Sequence, residues 1–215
     1  MHHIILDMDG VLADSWDDVI DGLLLHDWHG TTREEVLRSH ERYCRRKPIH
    51  ARNSGMTPKI HAKISKGLDI LATHLLKMHP PLFDDFIREL RHLDAQLAVV
   101  SAGEKRYVHY MAKRSKLPFT HVLSFDEDPS KEVKIETICK DWAIPVSEVV
   151  YVTDTLADVY ELETFMPREH IIGCAWGYCG YTVLREELPK EQILKNPKDI
   201  HHVISKMKIQ KSNNK

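Results

Sequence analysis

The stretch Ile4-Ile5-Leu6-Asp7-Met8-Asp9-Gly10-Val11-Leu12 decides the fold. A short apolar run gives way to two carboxylates at i and i+2 and then to a glycine turn. An uninterrupted apolar run of this length reads as a strand covered on both faces, as in a parallel sheet. Acids released at the carboxyl end of such a strand stand where open α/β sheets bind ligands. Two of them could hold a hard cation through oxygen. Taken alone, the segment is also compatible with two solvated turn acids.

Working outward, five runs read as buried strands: residues 4–7, 97–101, 121–125, 149–153 and 171–176. Helical spacing lies between them, as in Phe83, Phe86, Leu90 and Leu93, or Ile135, Ile138, Cys139 and Trp142. This alternation implies right-handed βαβ units, hence a doubly wound, Rossmann-like parallel sheet. The later gaps of about 16–24 residues each hold one crossover helix, but the gap after Asp7 is far longer. Its excess, residues 14–79, contains three helical stretches at 16–28, 32–46 and 58–77, the last with Ile60, Ile64, Leu68, Leu71 and Leu75 on one face. The expected organisation is an α/β core over 1–13 and 80–205, a helical insert over 14–79, and a polar tail over 206–215. Met78-His79-Pro80-Pro81 marks the return, because consecutive prolines oppose helix continuation.

The 215 residues carry 30 Lys+Arg against 32 Asp+Glu, a net charge of −2, which argues against a nucleic-acid binder. Hydrophobic residues make up 42% and charged ones 29%, ordinary globular usage. No apolar run approaches the ~20 residues that a bilayer-spanning helix needs, and Asp7 interrupts the N-terminal apolar run. A cytoplasmic protein with no membrane or nucleic-acid partner is expected. Its four scattered cysteines are expected to be reduced.

A second acidic pair, Asp154 and Asp158, follows the fourth strand. If the strands are neighbours, four carboxylates converge, and their mutual repulsion calls for a cation, best an oxygen-loving one such as Mg²⁺. The second strand ends in Ser101-Ala102-Gly103, a hydroxyl and small residues whose N–H groups can approach an anion. Lys131 opens a helix near the same end of the sheet, with Lys134 as its rival.

In this order the residues resemble the four motifs of the haloacid dehalogenase-like (HAD) superfamily: Asp7-x-Asp9-Gly10-Val11, Ser101, Lys131, and Asp154-x-x-x-Asp158. The helical insert resembles that family's C1-type cap, and Gly173 to Tyr178 resembles the corresponding loop of phosphoglycolate phosphatase-like members. The resemblance implies a phosphatase with Asp7 as nucleophile and Asp9 as general acid and base. Mg²⁺ would be held by Asp7, the Asp9 carbonyl and Asp154, with Asp158 grouped at the metal site and acting behind it on metal waters or Lys131. Ser101, the Ala102 and Gly103 N–H groups and Lys131 would bind the phosphoryl oxygens. Lys131 is preferred because its 23-residue separation from Asp154 matches the family layout, whereas Lys134 falls inside the helix. An acid at position 9 separates phosphate-transferring members from dehalogenases. Thr153 departs from the usual small or acidic residue before the fourth motif and is expected to tighten the metal pocket.

The expected substrate is a small phosphorylated metabolite, bound by a monomer or homodimer. A phosphomutase or a non-catalytic binding protein on the same fold is the alternative. Arg52, which ends the basic run 42–52, and Asn53, both beside the Ser54-Gly55 turn, are the candidate substrate contacts. The fifteen histidines, including His26 and His29, show no metal-ligand spacing and read as background.

Overall fold

The computed structural model describes residues 1–25, 31–52 and 55–206. Its sheet has six parallel strands in the order β3-β2-β1-β4-β5-β6. They are β1 (His2–Leu6), β2 (Ala95–Val100), β3 (Phe119–Leu123), β4 (Val149–Thr153), β5 (Ile171–Cys174) and β6 (Ile193–Leu194). The fold is therefore α/β, with the strand carrying Asp7 in the middle. Leu6 is in register with both Val99 and Val152, so Asp7, Ser101 and Asp154 leave the sheet along one edge. An Asp7 N–H to Val152 carbonyl bond of 2.9 Å extends that alignment past the strand.

Alternation along the strands divides the core. Ile4, Leu6, Val99 and Val152 face one apolar layer, and Ile5, Ala98, Val100 and Tyr151 the other. Helices α4 (Asp84–Arg91), α5 (Lys105–Ser115) and α9 (Asp199–Lys206) cover the first, while α6 (Lys131–Trp142), α7 (Leu156–Leu162) and α8 (Gly180–Leu184) cover the second. Numbered in chain order, these helices follow three that lie between β1 and β2: α1 (Trp16–Leu24), α2 (Arg33–Cys44) and α3 (Pro58–Met78). This is the helical insertion expected after the first strand.

Local chemistry sets the ends of the insert's helices. Thr32 and Glu35 form a reciprocal capping box at the start of α2, and Thr57 caps α3 with Pro58 at its first position. His79 ends α3 in the left-handed conformation before the two prolines. The first predicted helix, expected over 16–28, is described as Trp16–Leu24; residues 26–28 of that prediction, with His26 and Trp28, and the neighbouring His29 lie outside the described residues. The third predicted strand sits two residues early, at Phe119–Leu123 rather than 121–125. No helix among the described residues is long and apolar enough to cross a membrane.

Candidate active site

Lys131 is the centre of the site. As the first residue of α6 it enters from beside the sheet, 2% exposed, and its ammonium donates to three acceptors. These are Asp7 Oδ2 at 2.6 Å, Asp158 Oδ2 at 2.7 Å and the Tyr151 hydroxyl at 2.9 Å. Three donors on an ammonium thus meet three oxygens, which is how a fully buried lysine remains charged. Burial alone would depress it, but Asp158 and Asp7 outweigh that and hold it well above its ordinary range.

The two carboxylates that share Lys131 differ. Asp158 also accepts Thr153 Oγ1 at 2.6 Å and Tyr151 OH at 3.1 Å. Burial opposes its charge, yet Lys131 and these bonds hold Asp158 below the usual carboxylate value. Asp7 is pushed up to about 7, by burial first, against the pull of Lys131 and with Asp158 adding to the rise. Its Oδ1 accepts the Met8 N–H at 2.7 Å. Thr153, expected to tighten a metal pocket, instead spends its hydroxyl on Asp158 and receives the Thr155 N–H at 3.1 Å.

Asp9 is held separately. Its Oδ1 accepts Ser15 Oγ at 2.6 Å and Tyr107 OH at 2.7 Å, and Ser15 Oγ lies 2.8 Å from Tyr178 OH. Burial raises Asp9 above its ordinary value, and the two hydroxyls resist that rise. Its Oδ2 faces Gly103, at whose position a β-carbon would lie 3.7 Å away. Ser101 is buried, and its Oγ accepts the Gly103 N–H at 2.9 Å. The Ser101-Ala102-Gly103 turn therefore stands against Asp9. One of its N–H groups expected to meet phosphate is hydrogen-bonded within the turn.

Among the described residues Asp154, like Asp9, has no cationic partner, and it lacks the hydroxyl donors that Asp9 has. Its Oδ2 accepts the Tyr178 N–H at 2.7 Å, while its buried Oδ1 has no partner among the described residues. Burial first, and then Asp7, push it well above the usual carboxylate range. Gly10 and Gly177 press on it: a β-carbon at either would fall 1.9 Å and 2.3 Å from Asp154 atoms. An orphaned carboxylate oxygen beside a second carboxyl group fits a divalent cation held through oxygen. Among the four acids Lys131 bonds both Asp7 and Asp158, and two hydroxyls bond Asp9, so Asp154 alone keeps a buried side-chain oxygen without a partner among the described residues. Among the described residues no group of three or more His, Cys, Asp or Glu side chains is arranged to hold a metal. A third donor would have to come from the main chain, as the motif resemblance implies for Asp9.

Lys134, the rival lysine, does not reach Asp7. It lies one turn along α6, 1% exposed, and donates to the Ser101 carbonyl at 2.7 Å and the Ser124 carbonyl at 3.1 Å. Burial and the neighbouring Lys131 lower it to about 7. Arg52 does turn toward the α/β core, but its guanidinium meets Glu136 at 2.6 Å and Glu132 at 3.7 Å on α6 and lies over the Phe165 ring. Asn53 lies outside the described residues.

The sequence reading missed Ser15, Tyr107, Tyr151 and Tyr178. Each contributes a hydroxyl through a side chain whose position gives no local signal except, for Ser15, nearness to the first motif.

A family model described as haloacid dehalogenase-like hydrolase matches residues 4–161. The chain belongs to that family, a family of enzymes. No curated protein matches it in sequence. Solved structures match nearly end to end. A predicted phosphatase from Clostridium acetobutylicum is 16% identical, with 96% of this chain and 99% of that one covered and a TM-score of 0.70. A predicted phosphoglycolate phosphatase from Haemophilus somnus is 14% identical, with 95% and 98% covered and a TM-score of 0.62. CbbY from Rhodobacter sphaeroides, in complex with xylulose-(1,5)bisphosphate, is 15% identical, with 92% and 95% covered and a TM-score of 0.61. At these identities the likeness is one of fold.

Proposed function

We propose that the chain is a Mg²⁺-dependent phosphomonoesterase acting on a small phosphorylated metabolite, with residues 14–79 as the cap over its active site. The observation that carries this reading is the arrangement at one sheet edge: Asp7 bonded to Lys131, and a second acid, Asp9, hydrogen-bonded to neutral hydroxyls instead of to that lysine. Two carboxyl groups in such different surroundings can divide the roles of nucleophile and acid.

In this mechanism a carboxylate oxygen of Asp7 attacks phosphorus as the bond from phosphorus to the alcohol oxygen breaks, giving an aspartyl-phosphate. Asp9 in its protonated form, which burial favours, gives its proton to the departing oxygen; as a carboxylate it then takes a proton from the water that attacks phosphorus and releases Asp7. Lys131 and the Ser101-Ala102-Gly103 turn hold the phosphoryl oxygens. Asp7, Asp154 and the Asp9 carbonyl would hold Mg²⁺, which when bound offsets the charge gathered on phosphate and carboxylates. A cavity of about 200 Å³ bordered by Trp16, Arg45 and Tyr178 lies one hydroxyl away from Asp9 through Ser15. Its size suits a small alcohol, below the ~300–1,000 Å³ of drug-sized sites.

Phosphate release from p-nitrophenyl phosphate tests the reading. Activity should require Mg²⁺, and Asp7→Asn should lower kcat by at least ~10³. Activity that survives both EDTA and that substitution would overturn it. With a sugar 1-phosphate, isomerised sugar phosphate in place of free phosphate would identify a mutase.

A further inference from the structure

The cap reaches the site through a side chain that the mechanism above does not use. His50, between α2 and α3, is buried, and its ring meets Phe125 edge-on at 6.4 Å. Its Nε2 stands 3.7 Å from Glu161 Oε2, slightly beyond hydrogen-bonding distance. Glu161 sits in α7 and is 0% exposed. Its Oε1 accepts the Lys131 N–H at 2.7 Å and Ser130 Oγ at 3.4 Å. Its Oε2 has no hydrogen-bond partner among the described residues.

A buried polar atom left unpaired costs about 1–3 kcal/mol, more for a charged group. Here the cost falls on the residue of α7 that accepts the main-chain N–H at the start of α6, the turn that delivers Lys131. A shift of under an ångström by the cap would satisfy it.

We propose that His50 is a positioning residue: as the cap seats, its ring nitrogen closes on Glu161 Oε2, which fixes the first turn of α6 and so the hold of Lys131 on Asp7 and phosphate. The inference rests on the phosphomonoesterase reading. The bond needs one proton between the two groups. Burial raises Glu161 to about 7, while burial and the nearby Lys134 and Lys131 lower His50 to about 3, so between those values the carboxylic acid donates to a neutral imidazole. Closure thereby reaches the lysine without adding a charge to the pocket.

The test compares His50→Phe, His50→Gln, Glu161→Gln and the Phe/Gln double variant on p-nitrophenyl phosphate, with melting temperatures recorded for each. His50→Phe keeps the ring against Phe125 but removes the nitrogen; it should lower kcat about 10- to 100-fold with KM within about twofold. His50→Gln, which restores a polar group, should recover most of the rate. Glu161→Gln, whose amide can still donate to the ring, should keep most of the rate, and the double variant should be no worse than His50→Phe alone, because that substitution already breaks the contact. Wild-type kcat in the Phe variant, no recovery with Gln, or multiplicative losses would overturn the proposal. Inorganic phosphate supplies an arm that needs no turnover: it should raise the melting temperature of wild type more than that of His50→Phe, and equal shifts count against the proposal. A wild type without Asp7-dependent phosphate release overturns the phosphomonoesterase reading. One with that activity but insensitive to His50 overturns this inference alone.

Discussion

Gly10 shows how tightly single residues are specified at the sheet edge. Its φ of +72° suits glycine, and a β-carbon there would lie 1.9 Å from Asp154 Oδ2. Gly10→Ala must therefore both strain the backbone and displace Asp154. We expect a loss of about 1–3 kcal/mol in chemical denaturation and a fall of about 100-fold in kcat/KM. Gly180→Ala is the control: it also has positive φ, +65°, but nothing lies within 4 Å of the added carbon. It should cost stability alone, and a similar activity loss in both variants would mean that strain, not Asp154, is responsible. Asp7, Asp9, Asp154 and Asp158 were legible in sequence because charge at the end of an apolar strand is a local signal. Tyr107 and Tyr178 were not, because a tyrosine that reaches across 98 or 163 positions to Asp9 or Ser15 looks in sequence like any core aromatic.

At the scale of an element, the first turn of α6 carries the two lysines on one face, three residues apart. Lys131 is matched by two carboxylates, whereas Lys134 faces only carbonyl oxygens. A neutral amine has two N–H bonds, enough for both carbonyls. With a folded-state pKa near 7 against an ordinary 10.5, Lys134 gives up its proton in the folded protein before it does so unfolded. Between those values the unfolded chain binds more protons, so stability should rise with pH from about 7 to about 10.5. Wild type should gain over Lys134→Met by on the order of 1 kcal/mol per pH unit in that window. Denaturation curves at three pH values check this, and parallel pH profiles would contradict it. Helical spacing placed this helix, and the 23-residue separation from Asp154 singled out Lys131 over Lys134, which the structure turns to the Ser101 and Ser124 carbonyls and not to Asp7. What spacing does not show is where Lys134 ends: it gives direction around an axis, but a long lysine stem can bury itself and turn its tip toward a loop. Strand β6, two residues long, and the five-residue α8 are too short to show a period at all.

Across the whole molecule, exposed or half-exposed ion pairs hold the cap against the core. Arg45 forks onto Glu186 with two 2.9 Å bonds, Arg52 bridges to Glu136 at 2.6 Å, and Arg106 of α5 reaches Asp69 of α3 at 2.6 Å. Trp16 of α1 adds a ring contact with Tyr178 at 4.7 Å. Such pairs contribute only about 0–1 kcal/mol each and are screened by salt. That strength suits the opening and closing that the proposed function asks of this interface, since a few weak contacts shift its balance without unfolding either side. Replacing Arg45, Arg52 and Arg106 with alanine should thus leave the melting temperature within a few degrees of wild type. Hydrogen exchange should nonetheless quicken in α2 and around residues 45–52, while β1 and β4 remain as protected as before. Raising NaCl from 0.05 to 0.5 M should produce the same local loosening in wild type and almost none in the triple variant. Unchanged exchange in the variant would place the hold on the cap in its buried contacts, with His50 and Trp16, instead of in its charges. Uniform quickening through the sheet would show that the pairs support the fold itself.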